Sequence, residues 1–243
     1  MRKMCSIIRI NIKNNLQSLA LAGVYLMISI ICSLVIGVIG VKAINPIIKT
    51  GKMNSEMFSY IIGVLAYSTA VIVAGINYSI LFGTPFTREK VRGNIESLLA
   101  SGTSVKKVWF AKSIALFIPG FIMQIIFSFG IIAFGNLFYA SHGYKFILNT
   151  SLIISTYIAI PVMYFGLSLI MNIIGLLGKV ADAVPISIIL VAGVPAVMIR
   201  VAFKSSPNIF LILNLALAFI LIVLSIVFGN KLKAERVVLS CRK

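Results

Sequence analysis

The chain has 243 residues, 60% of them hydrophobic and 11% charged, with 22 Lys and Arg against 5 Asp and Glu. Ordinary soluble domains carry about 25% charged residues, and runs near the ~20 apolar residues that cross a bilayer core recur along this sequence, which leaves almost no room for a water-soluble domain. The net charge of +17 suits the cytoplasmic rim of a membrane protein and not nucleic acid, because no basic face with interleaved aromatics belongs to a folded module.

The expected fold is an all-α integral membrane protein, one transmembrane domain of six spans. In the first eighteen residues Ile7, Ile8, Ile12 and Leu16 approach helical spacing, while Arg2, Lys3, Arg9 and Lys13 carry the charge. This predicts a short amphipathic helix at the inner interface, with a plain basic flank as the alternative. The apolar run Leu19–Val41 exceeds the ~7–15-residue core of a signal peptide and reads as a retained first span. Further spans are expected at Phe58–Gly83, Ser113–Tyr139, Asn149–Gly178, Ala183–Phe203 and Asn208–Asn230. The fourth is longer than a crossing needs, so it should tilt or bend at Pro161. Pro185 and Pro195 predict a broken fifth helix.

With both termini on one side, sixteen Lys and Arg fall there and six on the other, which makes the first side cytoplasmic. The Ile-, Lys- and Asn-rich usage suggests a prokaryote, and hence a multi-pass protein of its cell membrane. Cys5, Cys32 and Cys241 are scattered, without the CxxC spacing of a metal or redox site.

Between the second and third spans lies Arg88–Lys112, with eight of the 27 charged residues. Val91, Ile95, Leu98 and Leu99 follow i, i+4, i+7, i+8, one apolar helical stripe. Glu89, Arg92 and Glu96 take the other faces, with Arg92 and Glu96 spaced for an ion pair. Ser101–Ser104 breaks the helix. A second short helix follows, with Val105, Val108 and Trp109 on one side, Lys106 and Lys107 on the other, and Trp109 expected at the membrane–water interface. A simple connection needs no such length or pattern. The stripe suits either lipid or a partner protein, and a solvated loop is the plain alternative.

The stretch EKVRGNIESLLASGTSVKKVWFAK resembles the segment after the second span in permeases of the ABC-2-type transporter family. Their pattern is approximately E-x-x-x-G-T-x-E-x-L-L, then a Pro-Val-Ser-like turn and a Gly-Lys or Ala-Lys pair. Glu89, Gly93, Glu96, Leu98 and Leu99 match, and Ser104 and Lys112 stand at later positions. Asn94 replaces the common Thr, and Thr103 stands where many members have Pro. The resemblance implies the permease subunit of an ATP-driven exporter, paired with an identical or paralogous second permease. Each would dock a separate ATP-binding subunit through Arg88, Glu89, Val91, Arg92, Gly93, Ile95, Glu96, Leu98 and Leu99. ATP and Mg²⁺ would belong to that subunit, and this chain would bind no cofactor.

The chain has no phosphate-binding G-x-x-x-x-G-K-[ST] and no HExxH. Its one histidine, His142, falls in a short outer loop. Glu56, Glu89, Glu96, Asp182 and Glu235 all lie outside the expected spans, so a carrier needing a carboxylate at membrane depth is disfavoured. Ala66, Ala70 and Ala74, beside Gly75, Ser79 and Gly83, form small-residue series that allow close helix approach. Asn77, Gln124, Asn172 and Asn214 are amides at depth. These and Arg200, which is placed to snorkel outward, are candidates for the translocation path or for helix packing. The rival readings are a secondary carrier or channel, a membrane scaffold, and an intramembrane enzyme.

Overall fold

The computed structural model describes residues 2–16, 19–91, 93–139, 143–144, 146–177, 193 and 196–241. Helices dominate these residues, and none of them forms a strand. In chain order the named helices are α1 (Arg2–Leu16), α2 (Leu19–Lys49), α3 (Ser55–Val91), α4 (Asn94–Ala100), α5 (Val105–Tyr139), α6 (Thr150–Leu177), α7 (Pro207–Asn230) and α8 (Ala234–Cys241). Five contain a stretch long and apolar enough to cross a membrane: Ala22–Lys49, Ser55–Asn77, Val105–Tyr139, Thr150–Leu177 and Pro207–Asn230. The protein is an α-helical, multi-pass membrane protein by this criterion. The expected span Ala183–Phe203 lies largely outside the described residues, with Pro185 and Pro195; what is described of it, 193 and 196–203, is helical, and the helix runs on to 204.

Several helices outrun their expected spans. The apolar run ends at Val41, yet α2 continues through Pro46 to Lys49 and stops at Gly51, whose φ is +67°. Hydropathy marks where lipid ends, whereas the backbone bonds of a helix continue into polar surroundings. For the same reason α5 begins at Val105 and not at Ser113. The expected short helix after Ser104 is thus the first part of α5, a correction to the separate second helix.

The irregularity expected near Pro161 takes the form of a π-helical turn at Ser155–Ala159 within α6. Proline donates no backbone hydrogen bond and its ring crowds the carbonyl four residues back. A widened turn just before it accommodates both effects.

The packing centres on α3 and α6. Helix α3 lies against α2 and α5, and α6 lies against α7 and α5, with α3 touching α6. Close approach needs a missing side chain at several places, Gly120 and Gly166 among them. A Cβ on Gly120 of α5 would fall 2.5 Å from Asn77 Nδ2, and one on Gly166 of α6 would fall 2.9 Å from Leu221 Cβ of α7. Helix α1 rests mainly on α5. Asn11 is buried, Ile7, Ile8 and Ile12 are half-buried, and Arg9, Ile10 and Lys13 are exposed, while the side chains of Arg2, Lys3 and Leu16 lie outside the described part.

Candidate functional site

The α3–α5 connection is built around two glycines. Helix α3 ends at Val91, and Gly93 adopts φ +71°, ψ 10° before α4 begins. A Cβ there would touch only Glu96 Oε2, at 4.0 Å, so the backbone angle and not space calls for glycine. The stripe of Val91, Ile95, Leu98 and Leu99 is therefore not one continuous helix. Val91 closes α3, and the other three belong to α4. Arg88 and Glu89 lie in the last turns of α3, with their side chains and that of Val91 outside the described part; Arg92, with its expected ion pair to Glu96, lies outside the described residues. At the far end of α4, Gly102 at φ +76° donates its N–H to Leu99 O at 3.1 Å. Ser101 Oγ donates to Leu98 O at 2.8 Å. Ser104 O then accepts from Lys107 N and Val108 N, opening α5.

At seven residues α4 is too short to persist by itself, and packing holds it. Ile95 is buried in a core with Val105, Trp109, Leu232 and Val237, and Leu99 packs partly against that core. Helix α8 lies on α4, and Ser240 Oγ of α8 donates to Leu176 O at the end of α6 at 2.6 Å. The apolar stripe is thus not left open for lipid or a partner at Ile95. The exposed face of this end is polar and small: Asn94, Ser97, Ala100, Ser101 and Gly102, flanked by Lys106 and Lys107, with Gly93, Glu96 and Leu98 half-buried.

Trp109 turns into the helix bundle. Its ring is buried, and its indole N–H donates to Leu169 O of α6 at 2.9 Å. The opposition of Val105, Val108 and Trp109 to Lys106 and Lys107 does hold, and Lys106 Nζ donates to Asn230 Oδ1 of α7 at 2.9 Å. Lys112 is buried in α5.

Most of the residues expected at membrane depth are engaged within the chain. Ala66, Ala70 and Ala74 are buried on α3. Asn77 Nδ2 donates to Leu116 O of α5 at 3.0 Å, while its Oδ1 is buried without a partner. Gln124 Nε2 donates to Thr156 O in the π turn at 3.2 Å. Asn172 Nδ2 donates to Ser168 O within α6 at 2.9 Å, and Asn214 Nδ2 to Phe210 O within α7 at 2.9 Å. Asn214 Oδ1 accepts from Tyr67 OH of α3 at 2.8 Å. Arg200 is exposed in the helical 196–204 segment. Two tyrosines join this group without having been singled out: Tyr67, and Tyr164 of α6, whose OH donates to Val71 O of α3 at 2.7 Å. Their signal is a phenol inside an apolar run, since a buried hydroxyl needs an acceptor.

Among the described residues no cluster of His, Cys, Asp or Glu could hold a metal ion. Compared with family models, with curated proteins and with solved structures, the chain matches none.

Proposed function

We propose that this chain is the permease subunit of an ATP-driven exporter of the ABC-2 type, working as a dimer under separate ATP-binding subunits. The observation that carries the reading is the α3–α5 connection. Helix α3 is 37 residues long, about 55 Å at ~1.5 Å per residue, against a hydrocarbon core of ~30 Å. It therefore runs as one helix, with Pro85 in its far part, from the centre of the bundle to Val91, beside Gly93, where α4 begins with α8 behind it.

In this reading the exposed polar face of α4 meets the ATPase, Gly93 is the joint and α3 is the lever. Glu96 and Leu98 edge the contact, and Ile95 and Leu99 fasten α4 to α8. The basic residues orient this end toward the cytoplasm of a prokaryotic cell. ATP and Mg²⁺ reside on the partner, so the chain is not itself an enzyme. The bundle alternates its access as α3 moves, and two permeases, identical or paralogous, enclose the path.

The test is purification from native membranes in mild detergent, with ATPase assay of the eluate. An ATP-binding subunit should co-purify. Proline locks φ near −65°, so Gly93→Pro should leave insertion intact while uncoupling hydrolysis from transport. Full transport by that variant would sink the lever, and a chain recovered without an ATPase would return the carrier or channel.

A further inference from the structure

Helices α2 and α5 leave between them an open groove of about 560 Å³, within the ~300–1,000 Å³ typical of ligand sites. Phe127, Phe134 and Phe138 line it from α5. Two glycines make the space: Gly37 of α2 and Gly130 of α5 both border the groove, and a Cβ on either would meet no atom within 4 Å. The lining has one hydroxyl, Ser33, already donating to Ser29 O at 2.7 Å. It has one charge, Lys42, at its end. Lys42 is exposed and has no acidic partner among the described residues.

The dimensions decide what fits. From Ile30 to Lys42 the groove follows α2 for about 18 Å, at ~1.5 Å per residue, close to half of a ~30 Å hydrocarbon core. A transmembrane helix of a second copy would need the whole core, and would press the Lys42 ammonium against apolar surface. An acyl chain of one leaflet ends near that depth, and its headgroup phosphate lies where the lysine does.

We propose that this groove binds an anionic phospholipid, one acyl chain lying along Gly37 and Gly130 and the phosphate on Lys42. The ammonium acts as a point charge toward the phosphate, while the apolar walls leave no buried polar group wanting. The site depends only on α2 and α5 crossing the bilayer, and it stands whether or not the chain is a transporter.

The experiment is native mass spectrometry of the full chain released from nanodiscs of phosphatidylglycerol and phosphatidylcholine in equal parts. The unaltered chain should retain phosphatidylglycerol in preference. Lys42→Gln should reduce that preference about fivefold, the effect of one basic residue at a lipid surface. The double variant Gly37→Leu with Gly130→Leu fills the groove and should retain no lipid, with its unfolding midpoint unchanged because both side chains enter open space. Equal retention of the two lipids by the unaltered chain, or undiminished retention by the double variant, overturns the site. So does disulfide dimerisation of a Ser33→Cys chain whose native cysteines are alanine, which would put a second copy in the groove.

Discussion

Helices α3 and α6 and helices α2 and α7 face opposite surroundings. Within their most apolar windows, 78% of α3 and 72% of α6 is buried in the protein, against 22% of α2 and 28% of α7. Yet α2 and α7 are the more hydropathic pair. In a water-soluble protein the most apolar helices would be the innermost. A lipid tail is as apolar as leucine, so the bilayer favours burial of groups that gain something only from protein: hydroxyls, amides and small residues. The inner pair accordingly holds Tyr67, Thr69, Asn77, Tyr164, Ser168 and Asn172, all buried, while Leu34, Val38, Ile212 and Phe219 point outward from the other pair.

That contrast breaks most severely at Gly166, where α6 meets the backbone of α7 and Ile222 N would lie 3.3 Å from an added Cβ. Gly166→Leu should cost roughly 1–3 kcal/mol by overpacking, read as a lower thermal midpoint in detergent. An unchanged midpoint would mean that the two helices do not approach so closely. The bond from Tyr67 to Asn214, 2.8 Å long, tests the polar side at smaller scale. A double-mutant cycle of Tyr67→Phe and Asn214→Leu should give a coupling of about 0.6–1.7 kcal/mol, and zero coupling would leave the pair's burial without that explanation. The smallest effect belongs to Phe219 on α7, which is 70% exposed. Phe219→Ala should move stability by less than about 0.5 kcal/mol. A larger loss would show that another protein covers this face and would sharpen the case for a dimer.

Hydropathy makes the crossings legible. The expected Asn208–Asn230 and the observed Pro207–Asn230 differ by one residue. It is silent where a helix leaves lipid, as α2 does beyond Val41. The α3–α5 connection is legible in its residue types and misleading in its geometry. Val91, Ile95 and Leu98 keep perfect helical spacing, and the break between the first two comes from the positive φ of Gly93. Glycine tolerates a helix interior as well as ending it, so spacing alone cannot separate the two. The cover over Ile95 is less accessible still, because α8 lies at the far end of the chain and no local pattern pairs it with α4. Asn77, Gln124, Asn172 and Asn214 stand out in any reading as amides in apolar runs. Their acceptors are the main-chain carbonyls of Leu116, Thr156, Ser168 and Phe210, which carry no side-chain signature.

The chain has a single tryptophan, and its position gives the molecule an optical gauge of its own. Trp109 belongs to α5, bonds α6 through Leu169 O, and lays its ring over Gly229 of α7. Three helices therefore meet on one fluorophore, next to the core that holds α4. Parting α7 from α6 at this end would wet the indole and redden its emission, so any such movement of these helices can be followed in the native protein without attaching a dye.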